Sequence, residues 1–481
     1  MNNAAASRPT IPSEAALAGM ALPIHHAPGA EKGIGADKDR SADVIVIGAG
    51  LAGLSAARRI KAQGASVIVL EARNRPGGRI QSQRLPGGQV VDLGAQFIAD
   101  AQSHVSALVD EAGLQRVSAA APGDRLYLPK GKAKARRGSA HKLPLPWLDR
   151  LDALQAFWRL DRSMAALGGH DLARLDRHDA AAYIRERTFL NPAFQAIAGY
   201  LEDELCTPLA HVSAFEALAQ GASIGGLAGE GASAQWFLAE GADGLTRYLA
   251  DAIGQSLILN SPVSRVQQDG EAVTVTAPTG AYHAHWVIVA VPPQLYRSIG
   301  ILEDLPQPWQ EVLADWRLGS VVKTILVFRD PWWRRTGLSA TITSQGGLFG
   351  AAVDASPGEG AGVLVVFSTA RGAQLLGQIP QEQDRISEAM RWLTHVHGTC
   401  VPDLVGAHSV DWSVEPFSLG GYASRRGIGG WSRAPDLFAP LGRLHFAGTE
   451  TATRWRSFMD GAIQSGLRAA CEVFEQEGLV R

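Results

Sequence analysis

Cysteine is scarce in this sequence. Cys206, Cys400 and Cys471 are odd in number and far apart, which excludes a disulfide framework and a zinc-ligand cluster and points to a reducing, cytoplasmic location. No apolar run approaches the roughly 20 residues that a bilayer-spanning helix needs. A net charge of −2 leaves no positive excess for nucleic acid or for drawing the whole chain to a membrane. A secretory signal is missing as well: the longest apolar stretch of the first forty residues, "AALAGMALP", is short and lacks a basic flank. Residues 1–40 read as an irregular N-terminal arm.

No His–Asp–Ser grouping, metal-ligand spacing or phosphate-transfer lysine emerges, so hydrolase and kinase chemistry have no residues to stand on, and no metal is expected. The thirteen histidines are scattered, and His25 and His26, in the arm, read as solvated. One low-complexity patch, "PKGKAKARRGSAHK" at 129–142, reads as a solvated loop or hairpin tip.

What is present begins at Asp43. The run Asp43–Ile47 suits a buried parallel strand, and "GAGLAG" follows it at once. Gly48 permits a tight turn, Gly50 lets backbone approach a pyrophosphate, and Gly53 lets the following helix pack on the strand, with Leu54, Ala57 and Ile60 on its apolar face. "ASVIVL" makes a second strand with Glu71 at its carboxyl end, placed for the ribose hydroxyls of an adenosine and repellent to a 2′-phosphate. The fingerprint alone leaves NAD and FAD open. "EARNRPGGRI" then sets Gly77, Gly78 and Arg79 after the second strand, where more backbone and a guanidinium reach the same phosphates. A nicotinamide dehydrogenase has no need of this element.

With "VVDLGAQFI" next, the order GxGxxG, Glu, GGR and D-x-G-[GA] resembles the flavoprotein amine oxidase (flavin-containing monoamine oxidase) family. The resemblance runs from Ser41 to the end, through "GLTRYLADAI", "SPVSRV", "WVIVAVPPQL", "LGSVVKTILVFRDPWW", "WSVEPFSLGGYA" and "FAGTETATRWRSFMDGAIQSG". It implies an α/β fold (α+β overall). A Rossmann-like FAD-binding domain is expected from 41–115, 232–300 and 406–481. A substrate domain of sheet plus helices is interleaved from 116–231 and 301–405. The matching positions for FAD are Gly48, Gly50, Ala52, Gly53, Glu71, Ala72, Arg73, Gly78, Arg79, Gly94, Ala95 and Gln96. In the later segments they are Val263 on the adenine side, Trp412 near the ring system, Gly448, Glu450, Met459 and Ala462.

The late Gly-containing turn has a physical reason. FAD is long and extended, so a fold that binds adenosine at its first strand needs other backbone for the ribityl chain and isoalloxazine. Gly448 allows close approach, Glu450 can accept from a ribityl hydroxyl, and the helix starting near Phe458 aims its positive end at the pyrimidine edge, with Met459, Gly461 and Ala462 as contacts.

Three residues are expected to carry chemistry. Strand alternation puts Lys323 on one face with Val321, Ile325 and Val327, so its ammonium needs a partner. The resemblance implies a water between Lys323 and flavin N5, with a role in reoxidation; a lysine snorkelling from a strand end is the alternative. The resemblance also makes Tyr422 and Phe458 parallel rings that guide the amine nitrogen. Gly421 stands where some members carry a flavin-tethering cysteine, so FAD is expected to be non-covalent.

The helices "WLDRLDALQAFWRLDRSMAAL" and "NPAFQAIAGYLEDEL" fall in the substrate domain, with Leu205, Cys206 and Phe215 as wall candidates. The activity implied is FAD-dependent oxidation of an amine to an imine, hydrolysed to aldehyde or ketone, with oxygen reduced to hydrogen peroxide. A monoamine is expected first, a nicotine-type cyclic or secondary amine second. Three alternatives stay open: an L-amino-acid oxidase using an arginine among Arg425, Arg426, Arg454 and Arg456; a dehydrogenase with a protein electron acceptor; and a non-catalytic flavin-binding module. A homodimer is compatible with this reading; nucleic acid and membrane partners are not expected.

Overall fold

The computed structural model describes residues 40–476 apart from 86, 120–121, 133, 140–144, 168–171, 228–233 and 359. Nearly all of the arm, His25 and His26 included, lies outside the described residues.

Two seven-stranded sheets organise the rest. The first runs in the order Arg265–Gln268, Val273–Ala277, Gly280–Val289, Arg40–Ile47, Val67–Leu70, Leu257–Ile258, and Leu444–Phe446 pairs parallel with Gly280–Val289. Arg40–Ile47 and Val67–Leu70 are parallel, with Val44 opposite Val67 and Ile47 opposite Leu70. Alternation divides the first strand between two cores: Val44 and Val46 pack with the helices Leu51–Ala62 and Met459–Gln476, while Ile45 and Ile47 pack on the other face with Val287 and Trp309. Both faces are covered, which is why the strand reads as a continuous apolar run.

The second sheet runs Gly406–Asp411, Val321–Phe328, Gly362–Thr369, Ala351–Asp354, Leu338–Ser344, Asp124–Leu128, Arg136–Gly138. The described residues of 129–135, in the basic patch, join its last two strands as a hairpin. Every residue of Val321–Phe328 is buried, including Lys323 and Thr324. A helical layer made by Trp147–Ala165, Leu172–Arg177, Ala180–Arg185, Asn191–Leu205 and Ala214–Ser223 has its own core. Two of its helices start on side-chain caps: Asp179 accepts from the Ala182 amide and Ser213 Oγ from the Glu216 amide.

The fold is thus mixed α/β. Among the described residues no helix is long and apolar enough to cross a membrane.

Candidate active site

The first turn is shaped by what its glycines leave out. Gly48 has φ +101°, reachable at little cost only without a Cβ, and its amide donates to the Leu70 carbonyl at 2.8 Å. A Cβ on Gly53 would lie 2.0 Å from the Gly48 carbonyl oxygen, so the helix start and the turn are in backbone contact. Gly50 is different: a Cβ there would meet nothing within 4 Å. It borders a cavity of about 350 Å³. Gly77 ties the second Gly element to the first through its amide, which donates to the Ala49 carbonyl at 2.8 Å, and a Cβ on Gly78 would find only Gly50 Cα, 3.6 Å away.

The cavity collects most of the expected cofactor positions from distant parts of the chain. Gly48, Gly50 and Ala52 border it from the first turn; Glu71, Ala72 and Arg73 from the end of the second strand; Gly78, Arg79 and Ala95 from the segment that follows. Val263 closes one side, because the Asn260 and Ser261 amides donate to the Arg73 and Glu71 carbonyls. Gly448, Met459 and Ala462 border it from the closing segment, together with Tyr422 and Phe458.

Glu71 is buried and its carboxylate holds the turn. Oε2 accepts from the Ala49 amide at 2.8 Å and Oε1 from the Arg73 amide at 2.9 Å. Two of about four lone-pair sites are used, so acceptor capacity for ribose hydroxyls remains. Arg73 is engaged elsewhere: its guanidinium pairs with Glu415 at 3.0 Å, donates to Ser418 Oγ and lies over the Phe417 ring, which anchors residues 415–418 beside the cavity.

Arg79 links the two ends of the chain. Its Nη1 lies 2.8 Å from Glu450 Oε1, whose side chain is 3% exposed. The contact is ionic without hydrogen-bond alignment, so buried Oε1 keeps an acceptor position among the described residues. Gly94 sits behind, where a Cβ would come 2.2 Å from the Arg79 carbonyl oxygen. On the closing side the Gly448 amide donates to Ser465 Oγ, Thr449 Oγ1 donates to the Phe458 carbonyl, and a Cβ on Gly461 would clash with Trp455 O at 2.3 Å. An open Gly50 cradle, a free acceptor on Glu450 and a helix amino end fit an extended, anionic dinucleotide carrying hydroxyls.

Lys323 is buried in mid-strand, not snorkelling. Its Nζ donates to the Gly94 carbonyl at 2.8 Å and to Gln96 Oε1 at 2.9 Å, on either side of cavity-lining Ala95. Burial lowers its pKa to about 8, opposed by the Asp92 carboxylate. Asp92 is itself buried; desolvation pushes its carboxyl up, while Lys323 and hydrogen bonds from Ser82 and the Ala242 amide act the other way.

Tyr422 and Phe458 both border the cavity. The Tyr422 hydroxyl donates to the Asp203 carbonyl at 2.5 Å, and burial raises its pKa well above the usual value, so it stays a neutral donor. The Phe458 ring stands edge-on to Trp455, with centroids 5.4 Å apart.

Several expected positions sit outside the cavity wall. Trp412 is buried, donates to the Leu93 carbonyl and packs with Cys206 and Val321, a layer behind Tyr422. Of the wall candidates, Leu205 belongs to the helical core and Phe215 packs on Trp431 with centroids 5.1 Å apart. Cys206, remote in sequence from the tyrosine, is brought against it by the fold. Its thiol is no nucleophile: burial pushes it up to about 12.

Sequence reasoning assigned no role to Asp92, Asp203 or Glu415. Asp92 had a signal, as the first residue of the D-x-G-[GA] element. Asp203 had none, because it meets Tyr422 through its backbone carbonyl. Among the described residues no group of three His, Cys, Asp or Glu side chains could hold a metal ion.

Known proteins similar to this chain match it over most of its length. A protein of Mycobacterium tuberculosis named as the flavin-containing monoamine oxidase AofH is 32% identical over 448 residues, 90% of this chain and 96% of its own. The L-amino acid dehydrogenase of Synechocystis is 30% identical, covering 89% of this chain and 94% of its own. Wild-type putrescine oxidase solved with putrescine superposes with a TM-score of 0.85 at 26% identity, over 91% of this chain and all of that one. Residues 51–474 match the family described as flavin containing amine oxidoreductase. The chain belongs to that family of flavoenzymes acting on amines.

Proposed function

We propose that this enzyme oxidises a monoamine to an imine that water hydrolyses to an aldehyde or ketone, with oxygen as acceptor. When bound, FAD supplies the redox chemistry, taking two electrons from the amine and delivering them to oxygen as hydrogen peroxide.

The observation that carries the reading is Lys323, a desolvated cation fixed by two acceptors directly behind the cavity wall. Such a group, with a lowered pKa, suits proton management at a redox site and has no evident packing purpose. Tyr422 and Phe458 orient the amine between π faces, and the Tyr422 hydroxyl, committed to Asp203, is not a base. Residues 41–115, 232–300 and 406–481 then form the cofactor-binding part, and 116–231 with 301–405 the substrate part.

An amine is favoured over an amino acid because the arginines bordering the cavity, Arg73 and Arg79, are paired with Glu415 and Glu450. Arg426 and Arg456 are buried against Trp431, and Arg456 also pairs with Glu216. FAD is held without a covalent bond, since Gly421 precedes Tyr422 and Cys206 is an inert thiol.

The test is an anaerobic titration of purified enzyme with monoamines, a diamine, a cyclic amine and the matching amino acids, reading the visible flavin band, then admitting air. Bleaching by a monoamine with rapid recovery and peroxide is expected. Bleaching by the amino acid alone would overturn the substrate assignment, and slow recovery in air the acceptor. Acid precipitation should leave the flavin in the supernatant.

A further inference from the structure

Phe458 follows a segment whose backbone its own residues do not favour. Trp455 has φ +50° and Ser457 φ +75°, left-handed conformations that a residue with a Cβ keeps only where the surroundings over-determine them. Ser457 and Phe458 border the cavity. The helix Ala214–Ser223 holds the segment from outside. The Trp455 amide donates to the Ser223 carbonyl at 2.8 Å. Gln220 grips the next residue twice: its Nε2 donates to the Arg456 carbonyl at 2.9 Å, and its Oε1 accepts from Arg456 Nε at 3.1 Å. One turn earlier on the same helix face, Glu216 Oε1 lies 2.9 Å from Arg456 Nη2. Glu216, Gln220 and Arg456 are 3%, 5% and 8% exposed, so water does not compete for these contacts.

Glu216 also reaches the segment that follows Tyr422. Its Oε2 accepts from Trp431 Nε1 at 2.6 Å and from the Arg426 amide at 3.4 Å. The guanidinium groups of Arg426 and Arg456 lie over the Trp431 ring, 3.7 and 5.1 Å from its centroid. Arg426 comes four residues after Tyr422 and Arg456 two before Phe458. One helix therefore fixes both chain segments that carry the aromatic rings of the cavity. Hydrogen bonds set direction as well as distance, which apolar packing of the same helix would not do.

We propose that Gln220, backed by Glu216, is a positioning residue for the oxidation: through Arg456 and the left-handed segment it sets the angle at which the Phe458 ring meets the amine. Neither Gln220 nor Glu216 borders the cavity, so each acts only through the residues it holds. The inference rests on the reading that Phe458 guides the amine.

The experiment is a double-mutant cycle of Gln220→Met with Phe458→Ala on the purified holoenzyme. Two quantities are read: the visible circular dichroism of the bound flavin, which needs no substrate, and the rate of anaerobic flavin reduction by benzylamine, hexylamine, putrescine and phenylalanine. Gln220→Met should slow reduction by the fastest of these about tenfold and change the dichroism. In the Phe458→Ala background it should change neither. Equal effects in both backgrounds would overturn the proposal. So would a lowered thermal midpoint with dichroism and reduction rate per bound flavin unchanged, the mark of a merely structural role. Gln220→Glu keeps an acceptor for Arg456 Nε and loses the donor to its carbonyl. It should fall between wild type and Gln220→Met, and it carries the cycle where the methionine variant does not fold. Reduction of the wild type by none of the four compounds, or by phenylalanine alone, would overturn the amine reading instead, and the dichroism cycle then decides the positioning by itself.

Discussion

Gly466 and Ala52 bring the last helix onto the first, backbone to backbone: a Cβ on Gly466 would lie 2.1 Å from the Ala52 carbonyl oxygen. Ala52 borders the cavity, so this contact sets how closely the closing segment approaches the opening turn. Gly466→Val is expected to cost about 1–3 kcal/mol or more, because neither backbone can yield without moving its helix. Thermal unfolding with and without added FAD checks it. The variant should show a lower midpoint and weaker flavin retention, and an unchanged midpoint would mean that the helices separate freely.

Lys323 makes a pH prediction whose sign follows from its burial. Its pKa falls from an ordinary 10.5 to about 8, so between these values the unfolded chain holds a proton that the folded chain has lost. The group's contribution to stability therefore rises with pH across that window, and its penalty is fully present below about 8. Lys323→Met should remove this rise. It should also remove an inflection near pH 8 from the pH profile of flavin reoxidation. Identical profiles for wild type and variant would take Lys323 out of the oxygen step.

Tyr422 separates ring from hydroxyl. Tyr422→Phe loses one part-buried hydrogen bond to the Asp203 carbonyl, worth about 1 kcal/mol of stability, and keeps the π face. Turnover should change only a few-fold. Tyr422→Ala removes the face and should lower kcat/KM by about tenfold or more, in line with a cation–π contribution of ~1–2 kcal/mol. Equal effects of the two substitutions on steady-state kinetics would assign the role to the hydroxyl.

Asp203 is half-buried, and its carboxyl is raised to about 6, desolvation outweighing the hydrogen bond from Thr369. A raised carboxyl pKa means that the folded chain holds the extra proton between about 3.8 and 6, and stability falls as pH rises through that window. Asp203→Asn should therefore stabilise the protein at pH 7, on the order of 2–3 kcal/mol, and have little effect below pH 4. Denaturant titrations at the two pH values decide it; stabilisation that persists undiminished in acid would point to packing instead of charge.

Much of the site was legible because its parts are local. Gly48, Gly50 and Gly53 each answer a backbone requirement set within a few residues, and Glu71 stands at the end of a strand whose apolar run marks it. Lys323 in an apolar strand announced a buried charge. The neighbours of the wall candidates were not legible. Leu205 and Phe215 sit in a helical segment whose inward and outward faces depend on which neighbours it meets; Leu205 joins the helical core and Phe215 packs on Trp431. Cys206 and Trp412, distant in sequence, pack together with Tyr422 against them.

The sequence by itself determined the order of the dinucleotide elements, the strand that buries a lysine and the absence of a cysteine before Tyr422. These follow from spacing, periodicity and residue type, which act over one or two turns of chain. Only the tertiary structure decided that Arg79 meets Glu450, that Lys323 finds Gly94 and Gln96, and that one face of Trp147–Ala165 stays uncovered. The physical reason is the same for all three. Burial and pairing are properties of surfaces brought together from distant segments, and a sequence pattern fixes which side chains share a face without fixing what that face meets.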